Sequence, residues 1–83
     1  MQKELQVEII SLGGYLFQGT GHLITIPSVS GQMGIMADHE GILTNLCEGK
    51  VEILNQKQEV LEEYEVKTGF AEMFNNRLLI LID

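Results

Sequence analysis

The sequence predicts an all-β fold, a sandwich or barrel of short strands. Three observations carry that expectation. The dominant hydrophobic period is two, the repeat of a strand with one face on a core and the other in water. Glycines at 13, 14, 19, 21, 31, 34, 41, 49 and 69 break the chain at short intervals, as frequent turns would. No long amphipathic helical pattern occurs.

Taken in chain order, "LQVEII" alternates through Leu5, Val7 and Ile9 and reads as a strand. "GGYLFQGTGH" reads as turns between strands. "HLITIP" sets His22, Ile24 and Ile26 on one side and Leu23 and Thr25 on the other. Pro27 is expected to end that strand, because it has no N–H to give a ladder. "HEGILTNL" has room for a single helical turn, weakened by Gly41 and Thr44. "KVEIL" puts Val51 and Ile53 together, opposite Lys50 and Glu52. "LNQKQEV" reads as a hairpin with a polar loop at Asn55 to Gln58. "EVLEEYEV" carries Glu63 and Glu65 on a solvated face, where charge keeps a sheet edge from pairing with other chains. "FAEMFNNRLLILID" reads as a second hairpin, because asparagines such as Asn75 and Asn76 tolerate the positive φ of a tight turn.

The chain has 83 residues and is expected to form one domain over residues 1–83, with a small core. Its net charge is −7, from twelve acidic and five basic side chains. That balance argues against nucleic acid and against anionic lipid as partners. No apolar run is long enough for a membrane span, and Glu4 and Glu8 interrupt the place where a signal peptide would be apolar. Cys47 is the only cysteine, so no disulfide forms within the chain, and a reducing compartment is expected. Together these features predict a soluble, intracellular domain.

Each candidate for chemistry has a plainer reading. The glycine-rich stretch lacks the Lys-Ser/Thr of a phosphate loop and a helix behind it. Asp38, His39 and Glu40 are adjacent and cannot all turn toward one ion, and the only other histidine is His22. No metal and no cofactor are expected. Cys47 and His39 could be forced into a hydrolase or transferase pair, yet Cys47 follows an apolar run and reads as a small core residue. Gln32, Met33, Ile35 and Met36 are either core filling or an adaptable apolar patch for a partner.

At "GQMGIMADHEGILTNL", with "LFQG" before it and "GKVEI" after it, the chain resembles the epsilon subunit of F-type ATP synthase, called delta in mitochondria. Pro27, Gly31, Gly34, Ile35, His39, Leu43, Thr44, Leu46, Gly49, Val51 and Ile53 fall on the family pattern, and "TGFAEMFNN" is similar to its Gly-Gly-Phe-x-Glu-Val segment. Met36-Ala37 replaces the usual Leu-Pro, Gly41 replaces a proline, and Thr68 stands at a common glycine. The resemblance implies a flattened sandwich of about ten strands. It also implies a non-catalytic rotor subunit between the gamma subunit and the ring of c subunits, peripheral at the cytoplasmic face of the energy-transducing inner membrane. On that resemblance Ser30, Gly31, Gln32 and Met33 face the c-ring, with Gln32 where glutamate is common. His39, Glu40, Ile42 and Leu43 face gamma. Typical members continue into a C-terminal helical hairpin, and its regulatory and ATP-binding roles are not carried over. A rival reading, an independent ligand-binding sandwich, predicts a hollow between the sheets instead of a filled core.

Overall fold

A computed structural model describes residues 4–39 and 41–83. Among these residues all regular structure is strand. The nine strands are β1 (Leu5–Ser11), β2 (Gly14–Gly21), β3 (Leu23–Ser28), β4 (Gly31–Met36), β5 (Ile42–Leu46), β6 (Gly49–Leu54), β7 (Val60–Val66), β8 (Gly69–Phe74) and β9 (Arg77–Ile82). They form one continuous sheet in the order β2-β1-β9-β8-β5-β3-β6-β7, with β4 on the free side of β3. Among the described strands only the β1–β9 pair is parallel.

The sheet curls because β3 changes partner along one edge. Leu23 to Thr25 pair with β6, whereas Ser28 pairs with Leu46 of β5. Pro27 lies inside β3 at that change, so it does not end the strand as the sequence led us to expect. Its carbonyl accepts the Cys47 N–H at 2.8 Å. The missing proline N–H therefore falls on the same side, in the gap between the two partner strands, where no ladder bond is lost. Gly49 closes the corner. A Cβ there would stand 2.7 Å from the Cβ of Pro27, so the approach admits glycine alone.

Curling brings the outer strands β2 and β7 together. The Tyr64 hydroxyl lies 3.2 Å from the Leu16 carbonyl and 3.0 Å from a Glu62 carboxylate oxygen, so two acceptors share one proton. Burial, first, and the Glu62 carboxylate, second, raise the Tyr64 pKa above its ordinary 10.0. Inside the curl, Leu5, Val7 and Ile9 meet Ile24, Ile26, Ile35, Val51, Ile53, Met73, Leu78 and Ile80 in one cluster. Each such side chain, fully buried, is worth about 1.5–3 kcal/mol. Among the described residues these side chains pack as one cluster, and an open hollow lies at the surface over Gln6, Glu8, Gln18 and Arg77.

Two sequence-level expectations change. "GGYLFQGTGH" is largely strand β2, held against β1 over its length despite its glycines. Ile42–Leu46 is strand β5, not a helical turn. Both hairpins form as expected. Asn75 and Asn76 have φ of 51° and 59°, the two positive values of a type I′ turn. In the other loop the Asn55 side chain accepts the N–H groups of Lys57 at 2.9 Å and Glu59 at 3.0 Å.

Candidate docking surfaces

Strand alternation decides what each predicted contact residue can touch. Ser30 and Gly31 form the β3–β4 hairpin with Val29, and Gly31 holds a φ of 119° that favours glycine. Ser28 is buried, and its hydroxyl sits 2.8 Å from that of Thr44 and accepts the Ser30 N–H at 3.1 Å. Val29 N–H donates to the Asn45 carbonyl at 3.0 Å. The hairpin tip is thus braced against β5. Gln32 points to solvent, while Met33 and Ile35 pack inward and Met36 is exposed. The "GQMGIM" stretch therefore divides between core and surface.

His39 is exposed at the far end of β4, which spans roughly 17 Å. The two predicted contact groups, Ser30 to Met33 and His39 to Leu43, therefore begin at opposite ends of that strand. Glu40 lies outside the described residues. Ile42 packs against the core, and Leu43 turns outward with 74% of its surface exposed.

Leu43 belongs to a larger surface that the sequence pattern did not reveal. On the outer face of β5, β8, β9 and β1, cross-strand register runs Leu43, Glu72, Leu79 and Glu8 in one row, and Asn45, Phe70, Leu81 and Ile10 in the next. Phe74, 67% exposed, lies beside Arg77. The signal was present in "RLLILI" and "FAEMF". A strand that is apolar on both faces needs a cover for each of them. The core covers Leu78, Ile80 and Ile82, and no described residue covers Leu79 and Phe74 to the same degree.

The reactive-pair reading fails on geometry. Cys47 is exposed, not a core residue, because Leu46 takes the inward position and alternation turns the next side chain out. Its thiol lies 3.4 Å from the Pro27 carbonyl and 3.6 Å from that of Ser28. His39 lies past the opposite end of β5, which spans roughly 14 Å. No proton passes directly between them. Among the described residues, no three His, Cys, Asp or Glu side chains gather where an ion could sit. None of the described residues forms a helix long and apolar enough to cross a membrane.

The described strands thus form a small curled β-sheet whose outer face carries Leu43, Phe70, Phe74, Leu79 and Leu81 around Glu72. The chain belongs to the ATP synthase Delta/Epsilon chain β-sandwich domain family, whose model matches residues 4–83. ATP synthase epsilon chain 2 of Ralstonia nicotianae is 32% identical over 80 residues, covering 95% of this chain and 56% of the relative. The ATP synthase epsilon chain of Latilactobacillus sakei is 31% identical over 83 residues, covering 99% and 57%. The chain thus spans little more than half the length of these relatives. Among solved structures, one chain of the Euglena gracilis mitochondrial ATP synthase OSCP/F1/c-ring assembly shares the fold with a TM-score of 0.85. It is 22% identical, and the match covers 95% of this chain and 50% of that one. A chain of the Tetrahymena thermophila mitochondrial ATP synthase central stalk/c-ring gives 0.76 at 16% identity, covering 98% and 64%.

Proposed function

We propose that this chain is a non-catalytic central-stalk subunit of a proton-translocating F-type ATP synthase. It docks the gamma subunit onto the c-ring and helps couple proton flow to ATP synthesis. It works peripherally, at the cytoplasmic face of the energy-transducing inner membrane, without inserting into it. The observation that carries the reading is the outer face bearing Leu43, Phe70, Phe74, Leu79 and Leu81, an apolar surface suited to a protein partner.

Gamma packs against this face and contacts His39 and Glu40, with Leu43 as an outward anchor. Of the predicted gamma contacts, Ile42 acts indirectly by seating β5 on the core. Ser30, Gly31 and Gln32 meet the c-ring, Met33 acts indirectly by seating the hairpin on the core, and the Ser28–Thr44 hydroxyl pair ties that hairpin to the strand carrying Leu43. Force applied at one contact reaches the other through packed strands, as a rigid wedge requires. Calorimetric titration with the gamma subunit from the same source tests the reading. Saturable one-to-one binding is expected. No binding between two folded proteins would contradict it.

A further inference from the structure

Asn76 makes bonds that its hairpin does not need. It is the second residue of the β8–β9 turn, where its φ of 59° would suit glycine equally. Its side chain reaches across to the β4–β5 turn. The carboxamide oxygen accepts the Asp38 N–H, and the carboxamide nitrogen donates to the Asp38 carboxylate at 3.1 Å. Its backbone carbonyl accepts the Gln6 N–H at 3.0 Å. One residue therefore joins two turns and the start of β1.

The reciprocal bond acts on a turn at the protein surface. Asp38 stands at φ 65°, and Asp38 and His39 are both at least partly open to solvent. The His39 N–H donates to the Met36 carbonyl at 3.3 Å, which closes the turn on itself. The Asp38–Asn76 pair fastens that turn to the β8–β9 hairpin. There Asp38, His39, Gly41, Phe74 and Asn76 line a shallow hollow of about 300 Å³.

We propose that Asn76 is a positioning residue for partner docking. Its carboxamide holds the Asp38–His39 turn beside Phe74, so that the hollow meets a side chain of the gamma subunit already formed. This rests on the proposed docking of gamma. A surface ordered before binding loses less freedom on binding, and affinity rises accordingly.

The test uses Asn76→Gly, which keeps the turn conformation and removes the carboxamide. Its companion, Asp38→Asn, keeps an oxygen for the Asn76 amide and tolerates positive φ. Two quantities are measured: hydrogen exchange at the Asp38 amide in the isolated chain, and affinity for gamma. Asn76→Gly is expected to speed Asp38 exchange by about tenfold while strand amides keep their protection. It is expected to weaken gamma binding by about fivefold. Asp38→Asn is expected to retain both properties. Unchanged Asp38 exchange in Asn76→Gly overturns the clasp. Faster exchange with unchanged affinity overturns its part in docking. A wild-type chain that fails to bind gamma overturns the docking reading and, with it, the positioning role of Asn76, while exchange still decides whether the clasp exists.

Discussion

The two outer faces of the curled sheet are built from the same strand geometry and carry opposite chemistry. On β3, β6 and β7, register sets Thr25 beside Glu52 and Glu63, and Lys50 beside Glu65. Lys50 lies 3.5 Å from the Glu63 carboxylate, and the Thr25 hydroxyl donates to Glu52 at 3.2 Å. That face satisfies itself and water. On β5, β8, β9 and β1 the matching positions are Leu43, Phe70, Phe74, Leu79, Leu81 and Ile10, with Glu72, Glu8, Asn45 and Arg77 set among them. One face is polar throughout these pairs, and the other sets apolar side chains around Glu72 and Glu8, the surface proposed above to meet gamma. The placement of acid agrees, because the outermost strand β7 carries Glu62, Glu63 and Glu65, which deter strand addition at that edge.

The comparison can be broken or sharpened by substitution. Phe74→Ala removes an exposed aromatic from the apolar face and is expected to weaken gamma binding by about 2 kcal/mol, read by calorimetry. The melting temperature should hardly move, since the ring has few contacts to lose. Gly49→Ala pushes a methyl group into Pro27 at the corner joining the two halves. It is expected to cost about 1–3 kcal/mol of stability in urea unfolding, with the apolar face left intact. His39→Ala is expected to cost about 1 kcal/mol of gamma affinity, and an unchanged affinity would remove it from the contact. On the charged face, Glu63→Gln is expected to change stability by less than about 0.5 kcal/mol and to leave gamma binding alone, because both ends of the Lys50 pair are about half exposed.

The seam between the two halves is expected to respond to alkaline pH. Tyr64 holds its proton more tightly when folded than when unfolded, chiefly through burial. A raised pKa gives stability that is fully present below pH 10.0 and is lost as pH rises through the folded value. Urea unfolding at about pH 8 and about pH 11, on either side of the ordinary tyrosine value, should therefore show a larger alkaline loss for the wild type than for Tyr64→Phe. Equal losses would show that the Tyr64 seam does not titrate.

The sequence revealed strands where polar and apolar residues alternate. β1, β3 and β6 and the hairpins at Asn55 and Asn75 follow from local pattern and turn chemistry. β2, β4 and β5 were illegible for a physical reason. The glycines of β2 and β4 and the mixed polarity of short β5 carry little signal, and pairing with neighbouring strands makes them strands. Cys47 was misjudged because an apolar run cannot by itself say which parity faces inward. Among the site residues, His39 and Leu43 came from resemblance to a family. Phe70, Phe74, Leu79 and Leu81 lie inside a stretch that reads simply as a hairpin. Only register shows that half of each run faces out.

The most direct test of a partner-completed apolar face is backbone amide hydrogen exchange of the chain, free and bound to gamma, compared between the two outer faces. New protection is expected at Leu43, Phe70, Phe74 and Leu79, with Lys50, Glu52, Glu63 and Glu65 unchanged. Protection confined to the charged face, with Leu43 and Phe74 exchanging as in the free chain, would contradict it.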